Sequence, residues 1–385
     1  MKAERHWNLR TLVWLTFSLL MLASVAWPDL SGSIARADDN EDEPSVCVRT
    51  ALHLFDACEL DIRGDYKVTG ANCLHISDKA ERTACREEAI ATRDEEKDGC
   101  IAQRDARVEV CALLDENRYD PDPLLDPTIT FVDPNHIDNN NANPYVSLVA
   151  GHTFVLRAGK TQTVVVHVTD KTRQIQGVSC RVVVDIALET KEENGTIEYV
   201  PLEVTDDWFA QDVNRKVYYC GELVRNFEDG LLNNLDGSFE AGKKFAKAGI
   251  LLRASPAVGD AHRQEFALGE AEDIIQYVSL KAVPTAQEGG ENPSFSCAAA
   301  GGCLKTLERA ALEPEASEFK YYLPGIGFVL AVSLEDGDLT GEREELVCVG
   351  DSLEILKNAS CRLQNPKKLF DKLCELSPSV FCQKG

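Results

Sequence analysis

Several common catalytic and binding motifs are missing from this chain. It has no Cys-x-x-Cys pair, no His-x-x-x-His pair, no Gly-x-Ser-x-Gly elbow, no phosphate loop and no dinucleotide fingerprint. Zinc ribbons, thioredoxin-like redox centres, haem attachment, zinc hydrolases and nucleotide-dependent enzymes therefore have no motif to rest on. Gly325-Ile326-Gly327 lacks a third glycine and a following helix, so it reads as a turn. Basic charge is also short: 40 Lys and Arg stand against 64 Asp and Glu, a net charge of −24. A surface of that sign does not release counterions from nucleic acid or attract anionic lipid, which argues against both as partners; no nucleic acid is expected.

Long apolar runs are absent except near the start, from Leu12 to Trp27. Lys2, Arg5 and Arg10 precede that run and Ala35-Arg36-Ala37 follows it, so residues 1–37 are expected to be a cleaved secretory signal. An uncleaved anchor is the alternative, but the run is short for a span of about 20 residues, and Pro28 and Gly32 loosen its end. No membrane span is expected after cleavage, and the expected location is outside the cytoplasm, in the periplasm or the medium. None of the 14 cysteines lies in the signal. An even number of cysteines in an exported chain reads as disulfides.

Composition divides the rest of the chain. Residues 38–46 are an acidic lead. Residues 47–114 lack proline, are rich in Ala, Glu, Arg and Leu, and predict a Cys-rich helical hairpin, with Asp78 and Glu81 at capping-box spacing. Gly64, Val68, Thr69 and Gly70 interrupt the helical pattern of its first arm. Residues 115–150, punctuated by Pro121, Pro123, Pro127, Pro134 and Pro144 among Asp and Asn, predict a linker that runs over a surface. From 151 to 345 the apolar period becomes two, with turn signals at Gln176-Gly177, Asp229-Gly230, Asp236-Gly237 and Pro324-Gly325. No helices alternate with these strands, so the sheet is expected to be antiparallel. Residues 346–385 form a short Cys-rich tail. The fold class is thus α+β, mainly β: a disulfide-stapled helical hairpin followed by a large antiparallel β-domain, a sandwich or half-barrel.

The first six cysteines make a sharper expectation. In an antiparallel hairpin, facing residues have numbers of constant sum, and Cys47 with Cys111, Cys58 with Cys100, and Cys73 with Cys85 share one total. Steps of 11 and 15 residues also keep each arm's cysteines on one side of a helix. These three pairs are expected to be bridged, with the bend near Lys79. The pairing of Cys180, Cys220, Cys297, Cys303, Cys348, Cys361, Cys374 and Cys382 stays open.

Asn143-Pro144-Tyr145, Asp207-Trp208-Phe209-Ala210-Gln211-Asp212, Gly237-Ser238-Phe239-Glu240-Ala241-Gly242, Arg263-Gln264-Glu265, Gly269-Glu270-Ala271-Glu272-Asp273 and Tyr321-Tyr322-Leu323-Pro324-Gly325 follow one another in order. On these motifs residues 143–332 resemble an uncharacterised family of secreted bacterial proteins. The resemblance implies an exported β-domain and carries no activity.

The densest polar constellation is Asp207, Asp212, Glu222, Glu240, Arg263, Glu265, Glu270, Glu272 and Asp273. If the sheet gathers these carboxylates they can bind a hard cation, with Ca²⁺ the candidate and no other cofactor expected, or raise one another's pKa. Otherwise they form a solvated face. Asp212, Glu265 and Glu270 are the carboxylates of a hydrolase alternative, with Trp208 as a sugar platform or simply core. Asp336-x-Asp338-x-Thr340-Gly341 starts like a calcium loop, but Val347 stands where a bidentate Glu is needed, so a hairpin turn is expected. The favoured function is an exported protein that binds a small ligand, a cation or a protein partner without catalysis. A secreted hydrolase and a structural or assembly module are the alternatives.

Overall fold

The computed structural model describes residues 44–193, 195–289 and 293–382. The expected signal and residues 38–43 of the acidic lead lie outside the described residues.

Two long helices open the fold, α1 (Val46–Leu74) and α2 (Lys79–Leu114). Ser45 accepts from the Val48 N–H, and Asp78 from those of Ala80 and Glu81, so side-chain oxygens satisfy donors at both starts. The nested bridges are present: Cys47–Cys111, Cys58–Cys100 and Cys73–Cys85, with Cα separations of 5.7, 6.0 and 5.7 Å. Those separations fall in the range a disulfide requires. α1 runs unbroken through Gly64 and Gly70, which have nothing packed beside them. Each glycine costs a helix about 1 kcal/mol, which bridges at both ends of the arm can offset.

The remaining bridges are Cys180–Cys220, Cys297–Cys303, Cys348–Cys361 and Cys374–Cys382, and no free cysteine remains. Among the described residues no helix is long and apolar enough to cross a membrane.

The strands are β1 (Thr153–Ala158), β2 (Gln162–Ile175), β3 (Val178–Glu193), β4 (Thr196–Gln211), β5 (Val217–Glu228), β6 (Leu231–Asn234), β7 (Phe239–Glu240) and β8 (Lys247–Leu252). After them come β9 (Ala261–Arg263), β10 (Glu265–Phe266), β11 (Asp273–Ala282), β12 (Cys303–Ala310), β13 (Ala316–Leu323), β14 (Gly327–Glu335) and β15 (Asp338–Gly350). They form one antiparallel sheet in the order β10-β8-β5-β4-β3-β2-β1-β15-β14-β13-β12-β11-β9, with β6 and β7 beside β5. Most neighbours are consecutive, joined by tight turns. Gln176-Gly177, Asp229-Gly230 and Asp336-Gly337 each put two successive residues at positive φ, the backbone of a two-residue hairpin. The Asp336 segment is therefore a turn, as its missing Glu implied. β15 continues past residue 345 to Gly350, so the tail begins as strand.

The sheet is nearly closed into a barrel. One stretch makes the seam: Ala261–Arg263 pairs with β11, and after Gln264 the next two residues pair with β8 at the opposite end of the order. Gly249 is required there, because a Cβ on it would lie 2.0 Å from the Gln264 carbonyl oxygen.

The 115–150 segment packs no core of its own but leaves the surface. Leu124 is buried on the outer side with Cys180, Trp208 and Cys220. The chain then pairs with the end of β4, Val132 N–H to Gln211 O at 2.8 Å, and turns inward. Val146 packs both against the Val183, Phe209 and Tyr219 cluster and against the Leu252, Ile275 and Tyr277 cluster, which belong to opposite walls. It therefore fills part of the barrel interior. Outside, α3 (Pro366–Leu376) and α4 (Pro378–Phe381) cover the other face. Leu369, Leu373 and Phe381 pack on Val155, Val165, Val184, Ile186 and Leu188. Each fully buried side chain of this size contributes about 1.5–3 kcal/mol.

Candidate functional site

Most carboxylates singled out in the sequence have structural partners. Glu272, 2% exposed, takes a two-pronged bond from Arg107 of α2 at 2.8 and 2.9 Å and accepts from the Gly269 N–H. Arg263 reaches Glu116, just past α2, at 2.9–3.1 Å. These two buried ion pairs are the joint between hairpin and barrel. Glu240 holds Arg173 at 2.6 Å and Lys243 at 2.8 Å, and Arg173 lies 4.1 Å over the ring of buried Trp208. Trp208 is thus core covered by a cation. Asp207 accepts from the Tyr219 hydroxyl. Asp212 is buried and caps the β4–β5 turn, accepting from the Asn214 and Lys216 N–H groups at 2.8 Å and from Tyr218 at 3.1 Å. Glu222 and Glu265 are buried, Asp273 is half-buried and Glu270 is exposed. Asp212 directly follows β4 while Glu265 sits opposite Ala248 of β8. Their backbones are three strand spacings apart, ~14 Å. Among the described residues no three His, Cys, Asp or Glu side chains converge so as to hold a metal ion, so the Ca²⁺ candidate has no cage there.

A different set of charges meets inside the barrel. The register aligns Thr306, Lys320, Ala331, Glu344 and Ala158 across β12, β13, β14, β15 and β1, and Glu308 and Glu318 stand in the adjacent row. Paired residues point to the same side of a sheet, so all of these share a face. That face is concave. Tyr322, on the same side, packs with Leu252 and with Val146 of the interior segment, and Glu203 of β4 joins this face through the register Glu203, Ala187, Val164, Leu156 and Leu346.

Glu308 anchors the cluster. It accepts from Tyr322 at 2.8 Å, Thr306 at 2.9 Å and Lys320 at 2.9 Å, with Gln264 of the seam at 3.4 Å. Burial alone would raise its pKa, but the Lys320 charge and these bonds hold it below the ordinary value. Burial likewise opposes the Lys320 charge, and Glu308 and Glu318 outweigh it, so Lys320 stays protonated. Lys320 also lies 3.6 Å from Glu318. Glu344 has no hydrogen bond or ion pair among the described residues. Burial first, then the Glu318 charge, push its pKa up to about 7, with Glu203 adding and Lys320 opposing. Solvent reaches the cluster, since the side chains of Glu318 and Lys320 are 30% and 29% exposed.

Sequence reasoning missed Glu203, Glu308, Glu318, Lys320 and Glu344. Their signal was charge at alternate strand positions, as in Glu318-Phe319-Lys320, a pattern that an open sheet turns to solvent and a barrel can turn inward. Comparison with family models, with curated proteins and with solved structures finds no match for this chain.

Proposed function

We propose that the protein is an exported, non-catalytic binding protein that takes a small organic cation, of the size of a primary amine, against the concave face of its barrel. The observation that carries this reading is Glu344, a half-buried carboxyl with no cationic partner among the described residues, on the same inner face as Glu318 and Glu203, while Lys320 of that face is bound to Glu308. A bound ammonium group would supply the missing positive charge and return Glu344 to its ionised form. Seven disulfides and no free cysteine support an oxidising compartment.

The test is calorimetric titration of the oxidised protein with 1,4-diaminobutane. Binding is expected at pH 8 and should weaken at least tenfold at pH 5.5, where protons occupy Glu344. Glu344→Gln should abolish it at both pH values. Equal affinity in the variant, or no heat at pH 8, would retire the cationic ligand.

A further inference from the structure

We infer that the outer face carries a second, separate binding site, which takes a small oxyanion: a phosphate, sulfate or carboxylate group. It lies where β15 and the β1–β2 turn meet the first part of the tail. A cavity of about 200 Å³ opens there, lined by Ser294, Phe295, Val349, Ser360 and Arg362. On the other side of Arg362 a smaller hollow of about 20 Å³ is lined by Arg157, Lys160, Thr161, Thr190 and Tyr199.

Three cations thus line this pair of hollows, Arg362 both of them and Arg157 and Lys160 the smaller one, in a chain of net charge −24. Arg157, Lys160 and Arg362 have no carboxylate within ion-pair reach among the described residues. Two acidic groups on the neighbouring strands belong to other cations. Glu345 faces Arg157 across the β1–β15 ladder but is bound to Arg343 at 3.1 Å, and Glu189, opposite Gln162, is bound to Lys191 at 3.3 Å. Arg157 donates to the backbone oxygen of Arg362 at 3.4 Å, which ties the two cationic residues together without neutralising either.

The surroundings suit an anion. Serines line the larger hollow and threonines the smaller, residues whose hydroxyls can donate to oxygen, while the guanidinium groups of Arg157 and Arg362 offer the paired donors that fit a phosphate or carboxylate. Arg362 has φ of +50°, a conformation that side chains other than glycine and asparagine adopt at a cost. It follows Cys361, whose bridge to Cys348 of β15 holds the turn in place. The cavity is smaller than the roughly 300–1,000 Å³ of drug-sized pockets. A monophosphate or short carboxylate fits that size, and a dinucleotide does not.

The experiment is calorimetric titration of the oxidised full chain with inorganic phosphate and, separately, succinate, at pH 7.5 and constant ionic strength. Co-sedimentation with phosphatidylglycerol vesicles distinguishes a lipid-borne phosphate from a free one. Saturable binding in either arm, weakened at least tenfold by Arg157→Gln with Arg362→Gln and unchanged by the remote Arg93→Gln, is the expected result. Lys160→Gln, on an exposed turn, should weaken it several-fold and serves if the double variant fails to fold. Absence of binding in both arms, or wild-type affinity in Lys160→Gln or in the folded double variant, overturns the site.

Discussion

Along α1 and α2 the buried apolar side chains are Ala51, Ala89, Val110 and the half-cystines Cys47, Cys73, Cys100 and Cys111. The barrel instead buries Phe209, Tyr219, Phe239, Tyr277 and Tyr321 in continuous apolar clusters, and its bridges are scattered around them. The helices lie side by side with almost nothing large between them. Their pairing rests on covalent links that restrict the unfolded chain, whereas the barrel rests on burial. The contrast shows that a long, thin unit can keep one shape without a core, provided that cross-links repeat along its length.

Replacing the six hairpin cysteines by serine sharpens that contrast most. Chain entropy assigns about 4 kcal/mol to the Cys47–Cys111 bridge, which closes a separation of 64 residues, and about 3 to Cys73–Cys85, which closes 12. The hairpin should lose its helical circular dichroism while the near-ultraviolet signal of the barrel aromatics survives. A helical signal that persists and melts cooperatively would show that the arms pair without their bridges.

The joint comes next. Arg107→Ala leaves Glu272 buried without its guanidinium, a change that typically costs about 3–5 kcal/mol. Hydrogen exchange should then accelerate at 267–272 and at the end of α2, while Arg107→Met with Glu272→Met should recover most of the loss. Unchanged exchange in Arg107→Ala would mean that the hairpin is held elsewhere.

Gly249→Ala tests the seam. Its new Cβ must displace the Gln264 backbone, and overpacking of this kind costs on the order of 3 kcal/mol. Urea midpoints should fall for the barrel, with the hairpin's helical signal unaffected below that transition.

Glu344→Gln is the smallest effect and has the opposite sign. The folded-state pKa of about 7 lies above the ordinary 4.5, so the folded chain binds that proton more tightly between the two values. The stability linked to Glu344 is full below pH 4.5 and is lost as the pH rises through 7. The variant should therefore be more stable at pH 8, by on the order of 2 kcal/mol because solvent reaches the group, and indistinguishable at pH 4. Equal gains at both pH values would indicate a packing effect.

How far the chain could be read followed from the range of each constraint. Nested cysteines were legible because an antiparallel hairpin imposes one arithmetic on all three pairs. Strands and turns were legible because a period of two and an Asp-Gly or Gln-Gly pair act over a few residues. The joint was not: nothing near Arg107 points to Glu272, 165 positions away. Nor was the inward path of Val146 and Leu148, since Pro and Asn around them signal an exposed loop. Inside and outside also exchanged places, because the alternation that places Lys320 on the polar side of a strand is silent about whether that side is enclosed.

β1 pairs with β15, Thr153 opposite Gly350, so besides the seam at Gln264 the ring needs a second closure, where its first strand meets its last. During synthesis every other strand from β2 to β5 can join a neighbour already made, while β1 must keep one ladder unpaired until almost the whole chain has emerged. Loops this long close slowly, and an unpaired edge invites other chains meanwhile. The same adjacency makes the barrel's start arbitrary. A version with its old ends joined by a flexible linker and new termini opened at an exposed hairpin tip would draw the same ring, while relieving β1 of its wait.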